Sequence, residues 1–259
     1  MRTRNILAAL LLMVAGMQTA SAQKVVINTK DNQTVKYEIS QIESITFEEA
    51  DDIIIDEHEW VDLGLPSGTL WATCNVGANS PEDYGDYFAW GETTGYNGGK
   101  TKFDWSTYKY YDATYQTVTK YCTISDYGVI DNKTGLEPED DAATANWGSG
   151  WQMPSIDQIE ELINSGYTTT TWTTQNGVNG RMIVSKSNSK SIFLPAAGYR
   201  GGEGLLTAGS YGYYWSRSLD TSDSRNGHSL YFNSSNIHTN YYGGRICGRS
   251  VRPVRVQTR

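Results

Sequence analysis

Cysteine and histidine are scarce: Cys74, Cys122 and Cys247 are the only cysteines in 259 residues, and His58, His228 and His238 the only histidines. None of these forms a cluster with ligand spacing, so no zinc centre is expected. An odd number of cysteines leaves at least one thiol over. A Cys74–Cys122 bridge fits an oxidising compartment, but spacing alone does not establish it. Long helical patterns are missing. Beyond the first segment there is no apolar run of the length a membrane span needs. No G-x-S-x-G elbow occurs, and Gly201-Gly202 opens no phosphate loop with a following Lys-Ser/Thr. The neighbouring carboxylates Asp140/Asp141 and Glu160/Glu161 would point apart on a helix. The chain is therefore expected to be no enzyme and to need no cofactor or metal.

The first segment is informative. Arg2 and Arg4 precede the apolar run Ile6–Val14, and Ala20-Ser21-Ala22 closes it. A basic start, a short apolar stretch and an A-x-A end predict a signal peptide over residues 1–22. The mature chain would begin at Gln23 and reach the periplasm, the cell surface or the medium. No cysteine follows the cut, so no lipid anchor is expected. Without Arg2 and Arg4, 19 basic residues face 29 acidic ones, a net charge of −10. That balance argues against nucleic acid as a partner. The charge is uneven: after Trp215 seven arginines face two aspartates.

Along the mature chain, "KVVINT" and "TVKYEI" read as two strands joined by a polar turn, with Ser40 and Glu43 as a capping box ahead of "SITF". Residues 23–47 thus predict a small β-hairpin module, too small to bury much. Residues 48–59 carry seven acidic positions and read as a solvated linker. The main domain, residues 60–256, predicts an α+β architecture of short strands and two short helices. One helix starts near Pro138 in "LEPEDDAATANWG", where proline and acids suit a first turn. The other is "PSIDQIEELINSG", with a Ser155–Gln158 capping box, a shared face of Ile156, Ile159, Leu162 and Ile163, and Gly166 as its end. "RMIVSK", "SIFLPA", "HSLYFN" and "GRSVRPV" read as strands. Glu137, Glu139, Asp140 and Asp141 could bind a hard cation, but acids at a helix start are stabilising without one.

The block "EWVDLGLPSGTLWATCNVGANSPEDYGDYFAWGET" closely resembles the opening of the Fibrobacter succinogenes major paralogous domain. "NWGSGWQMPSIDQIEELI", "IFLPAAGYRGG", "GSYGYYWSRS" and "GRSVRPV" resemble its later blocks, in order. The leader and "KVVINT…ESITFEE" resemble what precedes such domains in gut Bacteroidota. The resemblance implies a C-type-lectin-like fold, related to that of formylglycine-generating enzymes, with a loop-rich ligand face. It also implies that "EWVDLG" and "SVRPVRV" pair near one another in a shared sheet. Calcium signatures of sugar-binding C-type lectins are absent, and the cysteines match no formylglycine-type redox motif.

A second resemblance concerns residues 216–256, which look like the variable end of targets of diversity-generating retroelements. Adenine-directed randomisation of AAC or AAT codons can never produce Lys, Glu, Gln, Met or Trp. Those types are spread through the rest of the chain, and about seven would fall in this window by proportion. None does. Tyrosine, serine, asparagine, glycine and arginine dominate instead, the chemistry of antibody-type surfaces. The candidate ligand-binding residues are Arg217, Ser222, Arg225, Asn226, His228, Tyr231, His238, Asn240, Tyr241, Tyr242, Ile246 and Cys247. Leu230 and Phe232, alternating with Tyr231 and Asn233, should face the core, as should Trp215, Val251 and Val254. Arg245, Arg249 and Arg252 can either touch ligand or brace loops against the acidic body. The expected function is a non-enzymatic ligand-binding protein, adhesin-like or receptor-like, with a protein or glycan on another cell, host or phage as partner. The alternatives are a structural or tip subunit of a surface assembly and, more remotely, a formylglycine-generating-type enzyme.

Overall fold

The computed structural model describes residues 24–28, 34–39 and 58–256, in two units divided between Ile53 and Ile54. The expected signal peptide, the Ser40–Glu43 capping box, "SITF" and linker residues 48–57 lie outside the described residues. In the first unit β1 (Lys24–Asn28) pairs antiparallel with β2 (Thr34–Glu38), as the strand patterns predict. A Lys24–Glu38 ion pair of 2.6 Å closes its open end.

The second unit is mostly β, with small sheets and two short helices. One sheet has the order β15-β4-β3, from β3 (Trp60–Asp62), β4 (Thr69–Ala72) and β15 (Val254–Val256). The two ends of the domain therefore share a sheet but do not pair directly. β4 lies between them because all four of its residues are buried, with Trp71 opposite both Val61 and Val254. Short hairpins are made by β5 (Tyr111–Asp112) with β6 (Thr117–Val118) and by β10 (Tyr199–Gly201) with β11 (Gly204–Leu206). A meander joins β7 (Thr168–Gln175), β8 (Val178–Ser185) and β9 (Ser191–Pro195). The last sheet runs β12 (Gly212–Leu219), β13 (Asn226–Phe232) and β14 (Ile237–Gly244).

Helix α2 (Ile156–Ile163) starts at Ser155 with both halves of the predicted capping box. Ile159 and Leu162 are buried, while Ile156 and Ile163 are half-buried. The helix stops at Asn164 rather than Gly166, because the Asn164 carbonyl accepts from Tyr167 and Thr168 and turns the chain into β7. The other predicted helix is split. Pro138–Asp140 forms one 3-10 turn, and α1 (Ala142–Trp147) begins only after Asp141. The Asp141 carboxylate caps α1 by accepting from Ala143 and Thr144, and it also accepts from Met153. Asp140 points away into a cluster of lysines and tyrosines, so the adjacent carboxylates diverge as their spacing predicts.

The β12–β14 sheet separates two cores. Tyr214, Leu230 and Phe232 face α2, Trp71 and Ile183. Trp215 faces Phe88, Trp90, Tyr108 and Tyr121. Trp215, Val251 and Val254 are fully buried, and Leu230 and Phe232 point inward while Tyr231 and Asn233 stay half-exposed. The alternation read from the sequence therefore holds. Besides Arg181 on β8, three arginines of the C-terminal segment lie inside. Arg245 donates to Tyr108 Oη and to the carbonyls of Lys120, Tyr121 and Ser224. Arg252 donates to Asn75 Oδ1 and to the carbonyls of Ala72, Thr73 and Phe193. Arg249 lies 4.1 Å over Trp215 and donates to Ser229 Oγ. They brace loops, but through carbonyls and aromatic faces rather than through acids. No disulfide forms: all three cysteines are free, and the buried Cys122 thiol donates to the Ile124 carbonyl instead of bridging Cys74.

Candidate ligand-binding surface

Antiparallel register places Tyr213, Tyr231 and His238 directly across β12, β13 and β14. Cross-strand neighbours on one face are close enough to stack. Tyr213 and Tyr231 have ring centroids 5.4 Å apart, and Tyr231 and His238 4.9 Å apart. Tyr211 extends the row, 5.8 Å from Tyr231 and 6.3 Å from Tyr213, and Tyr199 meets Tyr213 at 5.2 Å. Tyr213 is buried beneath, Tyr211 and Tyr231 are half-exposed, and His238 is exposed. Asn233 donates to Tyr231 Oη over 2.9 Å, fixing that ring. The result is a tilted aromatic strip on a rigid sheet.

Further along the same sheet, β14 carries one residue more than β13 between the pairs Ser229–Asn240 and His228–Tyr242. Tyr241 is that extra residue, a bulge of the kind that re-aims a strand next to a site. At the neighbouring Gly243 a Cβ would sit 1.6 Å from the Arg249 guanidinium, so a side chain there would push Arg249 aside. Asn240, Tyr241 and Tyr242 thus share one strand with His238, with their backbone in β14.

The other candidates divide. Arg225 is exposed, makes a bidentate pair with Asp223, and lies 4.3 Å over Tyr127. It lines a cleft of about 250 Å³ with Trp105, Tyr111, Gln116 and Asp126. Ser222 lies in the same turn, exposed, its hydroxyl donating to Asp220. Asn226 and His228 are half-buried on β13. Arg217 is half-buried, and its guanidinium donates to Gln152 Oε1 at 2.6 Å and to the Leu136 carbonyl at 2.7 Å, so it also braces the chain there. Ile246 and Cys247 are half-buried and pack against the Trp90 core. Burial pushes the Cys247 thiol pKa up despite the nearby Arg249. The structure therefore gathers Tyr231 and His238 at one place and Ser222 and Arg225 at another.

Sequence reasoning missed Tyr199, Tyr211, Tyr213, Trp105, Tyr111 and Tyr127. All precede the compositionally biased segment. The usable signal was "GSYGYYW", in which Tyr211 and Tyr213 are spaced with a strand period ahead of Trp215.

The acidic group Glu137, Glu139 and Asp140 can bring carboxylates together, but lysines already occupy it. Lys120 Nζ lies 2.6 Å from Glu137 and 2.5 Å from Asp140, and Lys133 lies 2.6 Å from Glu137. Hydrogen bonds from Lys120 and Lys133 hold the Glu137 carboxyl down to about 2. These are structural ion pairs. Their partners are lysines, where the sequence pointed to the helix end.

Fold and surface together define an α+β protein with an aromatic strip on its C-terminal sheet and an aromatic-lined cleft beside Arg225. Comparison with protein-family models, curated proteins and solved structures finds no match. Among the described residues, no helix is long and apolar enough to cross a membrane.

Proposed function

We propose that the chain is an exported, non-enzymatic ligand-binding protein whose C-type-lectin-like domain displays a diversified surface near its C-terminus. One observation carries the reading: the strip Tyr211, Tyr213, Tyr231 and His238 is a graded set of buried to exposed aromatics on a sheet braced by buried arginines. Aromatic anchors on rigid elements dominate binding energy while their neighbours stay adaptable. Replacing Tyr231 and His238 together by alanine is expected to weaken binding about 30-fold or more. The melting temperature should fall by only a few degrees, roughly 2–4 °C per kcal/mol in a domain of this size. Calorimetric titration beside thermal melts would check this, and a variant that unfolds would mark the strip as core.

A second reading, a subunit of a surface assembly, is favoured by the β1–β2 hairpin. Val26, Tyr37 and Ile39 are about half exposed there, and a two-stranded hairpin has little stability of its own. Deleting residues 23–50 should then abolish assembly, seen by electron microscopy, while ligand titrations stay unchanged. Intact assembly would remove this reading.

A further inference from the structure

Beside the aromatic strip, between the β7–β8 hairpin and the β13–β14 turn, lies a cleft of about 440 Å³. Its size is within the ~300–1,000 Å³ range of ligand pockets. Trp172, Asn179, Ser210, Tyr211, Asn233, Ser234 and Ser235 line it with Gly209, and none carries a charge. In a protein of net charge −8, such a neutral wall is selective. A sulfate, phosphate or carboxylate entering it would lose water without meeting a charged group in the wall.

The wall offers two chemistries. Trp172 and Tyr211 contribute aromatic rings to the wall. The hydroxyls of Ser210, Ser234 and Ser235 and the Trp172 indole N–H make no hydrogen bond to another described residue. Asn179 and Asn233 are committed instead to shaping the cleft. Asn179 donates to the Gly209 carbonyl at 3.0 Å, while Asn233 Oδ1 accepts from Ser235 and Asn236, each at 2.8 Å. Behind the turn, the buried Arg181 donates from Nε and Nη2 to the Asn233 carbonyl. Arg181 is a positioning residue: it fixes the turn to β8 before any ligand arrives.

Apolar C–H faces alternating with hydroxyls on one compact ring are what such a wall complements. We infer that this cleft binds a neutral pyranose unit of a glycan, with Trp172 and Tyr211 against its C–H faces and the serines and indole N–H on its hydroxyls. The inference rests on the ligand-binding reading and names the ligand class of the surface that Tyr211 shares. It requires no metal ion.

The test is a glycan array of neutral and anionic oligosaccharides probed with the full mature chain, followed by calorimetric titration of the best neutral glycan. Binding of neutral glycans at millimolar concentration or below is expected. Trp172→Phe with Ser210→Ala should weaken it at least about tenfold, since each lost hydrogen bond contributes roughly 1 kcal/mol. Trp172 packs on Phe232 with centroids 6.5 Å apart, and phenylalanine keeps that contact. If that variant does not fold, Ser234→Arg on the exposed turn closes the cleft instead and should abolish binding. Recognition only of anionic glycans, or of none, overturns the inference. So does neutral-glycan binding that ignores both cleft variants. A protein ligand lost in the Tyr231/His238 double variant but kept in the cleft variants would overturn the glycan assignment and leave the ligand-binding reading standing.

Discussion

Replacing Arg245 by alanine is expected to destabilise the protein by about 4 kcal/mol and lower its melting temperature by roughly 10 °C. Arg245 has no exposed surface, and its guanidinium donates four hydrogen bonds, to Tyr108 Oη and to the carbonyls of Lys120, Tyr121 and Ser224. It also lies 4.8 Å over the Trp90 ring. Truncation leaves buried carbonyls without donors and a cavity between aromatic rings. Both effects destabilise, and neither relaxes easily in a packed core. Arg245→Lys should recover only part of the loss, because one ammonium cannot reach acceptors spread around a planar fork. Urea denaturation of the three proteins would check this. Equal stability of wild type and Arg245→Ala would show that the guanidinium braces nothing.

The second large effect concerns acid. Asp140 is buried and accepts from Lys109 Nζ, Lys120 Nζ, Tyr110 Oη and Tyr121 Oη. Burial by itself would raise its pKa, but the hydrogen bonds from Lys109, Lys120, Tyr110 and Tyr121 outweigh it and hold the carboxyl well below the usual carboxylate range. A depressed folded-state pKa means that the stabilisation is fully present above the unfolded value, about 4, and is lost as pH falls below it. Wild type should therefore lose stability steadily below about pH 4. Asp140→Asn should be about 2–3 kcal/mol less stable at neutral pH, a figure tempered by the half-exposed Lys109. Its stability should fall less steeply with acid. Melting curves between pH 2 and 7 would decide the matter: parallel curves for the two proteins would show that Asp140 is not the titrating group.

How much of this was legible depended on range. Local signals were read well. The Ser155–Gln158 capping box, the β1–β2 hairpin and the inward Leu230 and Phe232 follow from residues within a few positions of each other. Signals needing a distant partner were not. Asp140 was read as a helix-start acid, yet its partners Lys109, Lys120, Tyr110 and Tyr121 come from a stretch 19 to 31 positions away. Arg217 was read only as a contact residue because arginine suits binding surfaces, and the acceptors it also uses lie 65 and 81 positions upstream. For the candidate site, composition pointed to the stretch that forms β13 and β14. It could not show that Tyr199 and Tyr211, outside the biased segment, fold onto the same face.

The buried arginines have a consequence for how this chain tolerates change. Six of the eight acceptors that Arg245 and Arg252 use are main-chain carbonyls, those of Lys120, Tyr121, Ser224, Ala72, Thr73 and Phe193. Every amino acid supplies the same carbonyl. A loop clasped in this way keeps its anchor whatever side chain a mutation installs, so long as its backbone path is unchanged. The clasp residues are the fixed points, and the letters between them are free to drift without loosening the frame.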